Sequence, residues 1–159
     1  MRIDILAAGK IRESFFRDAV AEYSKRLSRY VKLNIIEVKD EKTSEGASDH
    51  EIELVKSAEA KRLDQYIDPD AVLIPLCVEG TGMSSEELAD MITYYENKGK
   101  SHMQFVIGGS LGLSDEIKNK GSVKLSFSRM TFPHQLMRVV LLEQIYRAYR
   151  IKNNEPYHK

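Results

Sequence analysis

Two rhythms of apolar and polar residues run along this chain. Five short apolar stretches, Arg2–Ala8, Leu33–Val38, Ala71–Val78, Met103–Ile107 and Val123–Phe127, predict strands. Between them the apolar residues recur at helical spacing, which predicts helices over Ile11–Tyr30, Asp49–Tyr66, Ser85–Lys98, Asp115–Lys120 and Pro133–Ile151. Phe16, Ala19, Val20, Tyr23 and Leu27 form the buried stripe of the first helix. Ser48 with Glu51, and Ser84 with Glu87, have capping-box spacing and mark two helix starts. Gly99 and Gly121 follow helical stretches where a left-handed residue is expected.

AVLIPLCV and MQFVI do not alternate, and near-continuous apolar strands suit a sheet covered on both faces. The strand–helix alternation therefore predicts an α/β fold, an open and mainly parallel sheet with helices on both faces. One domain over residues 1–159 is expected, because no linker or repeat interrupts the pattern. Pro75 removes a ladder donor inside the third strand and predicts an edge or a bulge there.

Composition narrows the classes. Lys and Arg equal Asp and Glu at 24 each, so net charge alone selects no polyanionic partner. The charge is unevenly placed, however. Glu37–Glu53 carries seven acids against two bases, and Lys118–Lys159 carries nine bases against two acids. The basic C-terminal quarter is a candidate face for a phosphate-rich partner. Cys77 is the one cysteine, which excludes an internal disulfide and fits a reducing compartment. No apolar stretch nears the roughly 20 residues that span a bilayer, and the start has no signal-peptide pattern, so a cytoplasmic protein with no membrane contact is expected. Four scattered histidines and one cysteine offer no metal-ligand spacing, and no metal is expected. His50 and His102 read as surface residues.

Candidate chemistry lies where ligands bind such sheets, beyond the carboxyl ends of strands. Gly108, Gly109 and Gly112 follow the fourth strand, where glycines admit close backbone approach and positive φ. Neither GxGxxG nor Walker A spacing is present. A mixed loop, Ser128–Phe132, joins the last strand to Pro133 and the final helix. Pro133 suits a first-turn position, and Thr131 is placed to cap. Met137, Leu141, Ile145, Ala148 and Tyr149 make one apolar face of that helix, while Leu136, Val139, Val140, Leu142 and Tyr146 extend it nearly all round. Such a helix serves the core and a subunit contact together. Arg138 projects from the apolar sector and needs a partner, either a carboxylate across a subunit interface or a ligand phosphate, with a purely structural ion pair as the plain alternative.

FVIGGSLG, LSFSRMTFPHQLMRVVLLEQIYRAYRI and the terminal PYHK, in this order, resemble the ribosomal RNA large subunit methyltransferase H family of the SPOUT class. The resemblance spans the whole chain. It implies transfer of a methyl from S-adenosylmethionine to N3 of a pseudouridine in large-subunit ribosomal RNA, on an assembled ribosome. It further implies a homodimer and a C-terminal trefoil knot. By the same resemblance Leu76, Gly108 and the loop Phe127, Ser128, Arg129, Met130, Thr131 and Phe132 hold the cofactor. Tyr157 and His158 are then candidates for shaping the target pocket or for catalysis, and His134 is a helix-start residue beside the loop. The sequence departs from the family at Gly80-Thr81-Gly82, where a glycine followed by lysine is expected, and Pro75 and Cys77 make the third strand unusual. Two other readings fit the same residues: a Rossmann-like nucleotide-binding enzyme, and a ribosome-associated RNA-binding factor without activity.

Overall fold

The apolar runs become β1 (Arg2–Ala8), β2 (Lys32–Val38), β3 (Val72–Gly82), β4 (His102–Ile107) and β5 (Leu125–Ser126). The intervening helices are α1 (Ser14–Leu27), α2 (Asp49–Asp64), α3 (Ser85–Asn97), α4 (Asp115–Lys120) and α5 (His134–Lys152). In this computed structural model, which describes residues 1–159, the strands form one five-stranded sheet in the order β2-β1-β4-β3-β5. Every pairing is parallel, so the sheet is parallel throughout rather than mainly.

Two apolar clusters lie on its two faces. One gathers Ile3, Ile5, Met103 and Phe105 with α1, α3 and α5, and the other gathers Leu6, Leu73 and Val106 with α2 and α4. Leu141, Leu142 and Ile145 of α5 are fully buried, each stabilising by about 1.5–3 kcal/mol relative to exposure. Both capping boxes form, with Ser48 and Ser84 accepting from the amides of Glu51 and Glu87.

Several boundaries move, each for a visible reason. Helix α1 starts at Ser14 rather than Ile11, since Glu13 is extended and its carbonyl accepts the first helical bond, from Arg17 N, while the residues before it are tied to other elements. Ile11 N donates to Glu37 Oε2 at 2.9 Å, and Arg12 N donates to Gln135 Oε1 at 3.1 Å. Strand β5 is two residues long because the chain turns at Ser126, whose hydroxyl donates to the carbonyls of Val78 and Ser128. Gly99 is left-handed at φ +77°, as expected. Gly121 is not; its φ is −65°, and a Cβ there would stand 2.4 Å from Cδ of Pro75. Pro75 itself lies in an interior strand, not an edge. It closes the pairing with β4, and the register against β5 then shifts between Leu76 and Thr81.

His102 is not a surface residue. Its side chain is 13% exposed, with Nε2 2.8 Å from Asp4 Oδ2 and Nδ1 3.0 Å from Asp68 Oδ2. Fully buried Asp4 also accepts from Arg2, Asn34 and Gln104. The amino-terminal end of the sheet is therefore pinned by a polar cluster, and the carboxyl-terminal end is left to form a site.

Candidate functional site

Three segments converge on a cleft of about 690 Å3 at the carboxyl ends of β3, β4 and β5. The first is the glycine turn after β4. A Cβ on Gly108 would lie 2.4 Å from the carbonyl carbon of Gly112, and one on Gly109 would lie 2.8 Å from Oε2 of Glu59. Gly108 needs glycine because backbone blocks it, Gly109 leaves room only if the Glu59 carboxylate moves, and of the three only Gly112 has positive φ, at +80°. The turn closes through Gly112 N donating to Gly109 O at 3.0 Å.

The second segment is the outer half of β3. Cys77–Gly80 lie within its register shift, and Gly80 fits because a Cβ would stand 2.8 Å from the carbonyl oxygen of Lys124. Thr81 N donates to that oxygen at 2.8 Å. The departure at Gly80-Thr81-Gly82 thus lies where β3 regains its pairing with β5. Glu79 and Lys118 pair within the cleft wall. That contact holds the Glu79 carboxyl below its ordinary range. Burial pulls the Lys118 ammonium down, but Glu79 and Asp115 together leave it raised. Burial, with the charge of Glu79, pushes the Cys77 thiol up.

The third segment is the loop into α5. Met130 N donates to Ser128 Oγ at 2.9 Å, so Ser128 folds the loop on itself. Thr131 does not cap α5. Pro133 is the N-cap and makes no side-chain bond, leaving the first-turn amides of α5 without a cap beside the cleft. His134 follows on the cleft wall. Burial lowers its pKa, and the adjacent Arg138 charge lowers it further, both favouring the uncharged imidazole. Arg138 is fully buried and donates to Glu37 Oε2 and to Gly9 O, both at 2.6 Å. The partner it needs is therefore a carboxylate of its own chain. Its Nη2 lies 3.4 Å from His134 Nδ1.

Leu76, Gly108, Phe127, Ser128, Met130, Thr131 and Phe132 thus come together from three distant stretches onto one wall. Arg129 is exposed and outside that wall. Tyr157 and His158 lie elsewhere, against α3 and the outer half of α5. Tyr157 Oη donates to Glu143 Oε1 at 3.0 Å, its ring faces the Arg147 guanidinium at 4.7 Å, and His158 Nε2 sits 2.8 Å from Glu86 Oε1. Burial and that carboxylate push the Tyr157 phenol up to about 12. Sequence reasoning missed Lys118 and Met137 as cleft residues, while His134, expected beside the loop, lines the wall with it. Met137 and His134, three residues apart at the start of a helix, were the one available signal.

A parallel α/β sheet with a half-apolar cleft of about 690 Å3 at its carboxyl ends is the architecture of a protein that binds a small molecule at its strand ends. A family model described as "Predicted SPOUT methyltransferase" matches residues 1–158. Proteins named ribosomal RNA large subunit methyltransferase H are similar over the full length of both chains, at 54% identity in Bifidobacterium adolescentis and 52% in Bacillus pumilus. The chain belongs to this methyltransferase H family, within the SPOUT methyltransferases. A solved probable methylase family protein from Haemophilus influenzae shares the fold, with a TM-score of 0.55 and 15% identity over 99% of this chain and 70% of that one. No helix is long and apolar enough to cross a membrane.

Proposed function

We propose that this protein methylates N3 of a pseudouridine in large-subunit ribosomal RNA, with S-adenosylmethionine as donor and the assembled ribosome as substrate. The observation that carries this reading is the convergence of Leu76, Gly108 and the Phe127–Phe132 loop on one cleft. Its volume, about 690 Å3, falls within the range of small-molecule sites. Leu76, Ile107, Leu125 and Phe127 offer apolar walls for an adenine. Main-chain groups of Gly108 and of the loop residues that line the cleft would hold its polar edge and the methionine tail. The relatives' printed name, with its ribosomal RNA, supports the substrate class.

Bound S-adenosylmethionine supplies a methyl already activated on a sulfonium; transfer to N3 leaves S-adenosylhomocysteine and one proton. The chain's own work is then orientation, which in well-placed reactions is worth up to ~7–11 kcal/mol, together with disposal of the N3 proton. Tyr157, its phenol pushed up to about 12 and its proton held by Glu143, keeps its hydroxyl oxygen as an acceptor and its ring as an apolar wall for the target base. His158, beside it on the tail, is the candidate acceptor of the N3 proton. Both residues lie off this chain's cleft wall, which supports a homodimer in which each tail serves the other subunit's cleft. Leu136, Val139 and Val140, half-buried on α5, are the apolar surface for that contact. The C-terminal trefoil knot and the cytoplasmic location belong to the same reading.

Mass analysis of ribosomal RNA from cells with and without the gene tests reaction and target together. One methyl missing from a large-subunit pseudouridine is expected, and an unchanged modification map would refute the proposal. Filling the cleft rim with Thr131→Trp, at an exposed position, is expected to weaken S-adenosylmethionine binding about tenfold or more while the fold persists.

A further inference from the structure

At the start of α1 the chain exposes residues that its core does not use. Phe15 is 64% exposed and lies off the buried stripe, with its ring 4.5 Å from that of Phe16. Within a few residues of it along the chain Lys10, Arg12 and Arg17 are exposed, and none forms a salt bridge, unlike most arginines of this chain. Glu13 and Asp18 share the stretch and leave it net positive.

Its position is held firmly. Arg17 Nη1 donates to Arg12 O at 2.7 Å, Arg12 N donates to Gln135 on the first turn of α5, and Ile11 N donates to Glu37, the partner of Arg138. The first turn of α5 also carries His134 and Met137, which line the cleft. The exposed aromatic and the free cations therefore sit on a ledge tied to the cleft wall.

We propose that Lys10, Arg12, Phe15 and Arg17 form a docking ledge for single-stranded RNA next to the target nucleotide, with Phe15 as a stacking platform. The inference rests on the methyltransferase reading above and deepens it. A solvent-exposed phenyl ring is costly unless covered, and a base covers it whatever its identity. Unpaired guanidinium and ammonium groups beside it match the phosphates of an unstacked strand. Charge complementarity thus selects nucleic acid over a second copy of this chain, whose corresponding ledge would carry the same positive sign.

The test uses the full chain and a short fluorescein-labelled single-stranded oligoribonucleotide, read by anisotropy across a salt series. Phe15→Ala is expected to weaken binding roughly 5- to 150-fold, and Phe15→Tyr to retain it. Lys10→Ala and Arg12→Ala should each flatten the logarithmic salt dependence by about 0.7. S-adenosylmethionine affinity, measured by calorimetry on the same proteins, should not change. Unaltered RNA binding by folded Phe15→Ala overturns the ledge, and so does failure of the wild type to bind the oligonucleotide. Dissociation of a dimer by Phe15→Ala in sedimentation would assign the ring to a subunit contact and also overturn it. Methyl transfer to ribosomes is scored separately, so the ledge can fail while the enzyme reading stands.

Discussion

The imidazole of His134 closes over Gly9 so tightly that a side-chain carbon at Gly9 would stand 2.9 Å from Cε1. Gly9 also has φ +95°, and its carbonyl accepts from Arg138. One glycine thus joins the end of β1 to the helix that walls the cleft. Gly9→Ala meets both strain and collision, and a loss of about 1–3 kcal/mol in denaturant unfolding is expected, together with weaker S-adenosylmethionine binding as His134 is displaced.

Arg138 sits fully buried against a Glu37 side chain that is 34% exposed. Removing the cation leaves Gly9 O without a donor, while Glu37 can still reach water. Arg138→Ala adds a cavity to that loss, and a cost on the order of 3–5 kcal/mol is expected. Arg138→Met fills the volume and should cost clearly less. Urea titrations of the two variants check the order.

Asp4 gives the fold an acid-sensitive foot. Burial raises its pKa, but hydrogen bonds from Asn34, Arg2, His102 and Gln104 outweigh it, so the folded value lies below the ordinary 3.8. A depressed acid contributes stability above its unfolded pKa and loses it as pH falls through the folded one. Thermal midpoints of the wild type should therefore drop from about pH 4 downward. Asp4→Asn should be less stable at neutral pH and should show a shallower acid slope.

Glu59 has the opposite sign. The residue is 3% exposed, with Oε1 unpartnered. Burial raises its pKa, and the bond from Glu41 N only partly offsets this. The ionised form is the unfavourable one, so its cost appears as pH rises above the ordinary value of 4.5. Glu59→Gln is expected to raise the thermal midpoint at pH 8, with the gain vanishing below about pH 4.5.

The tail is anchored rather than frayed. Tyr157 bonds Glu143, and Arg150 holds Glu155 and the carbonyl of Pro156. Removing Tyr157 through Lys159 leaves Arg147 paired with Glu143, so a cost of about 1 kcal/mol or less is expected. Donor affinity should hold while methyl transfer to ribosomes collapses. Full transfer by the truncated protein would show that the tail has no part in the reaction.

Much of this architecture was legible in the residues. Strand and helix order, the glycine turn, the two capping boxes and the buried face of α5 follow from apolar spacing and local hydrogen-bonding groups, which act over a few residues. Of the eight residues named by resemblance, seven line one cleft and Arg129 does not. Other features failed locally. His102 looked like a surface residue because its partners, Asp4 and Asp68, lie 98 and 34 positions away. Gly121 had the position of a left-handed cap, but proline packing across the sheet explains it better.

The amino-acid sequence by itself therefore determined the α/β alternation, the sidedness of each helix and where backbone had to come close. Those depend on short-range sterics and on which faces must leave water. Only the tertiary structure decided that Arg138 is neutralised by Glu37 of its own chain and that His134 enters the cleft wall. It also decided that Asp4 and His102 meet at the far end of the sheet. Each of these is a pairing of charges or dipoles, and such partners are chosen by distance in space, which spacing along the chain does not encode.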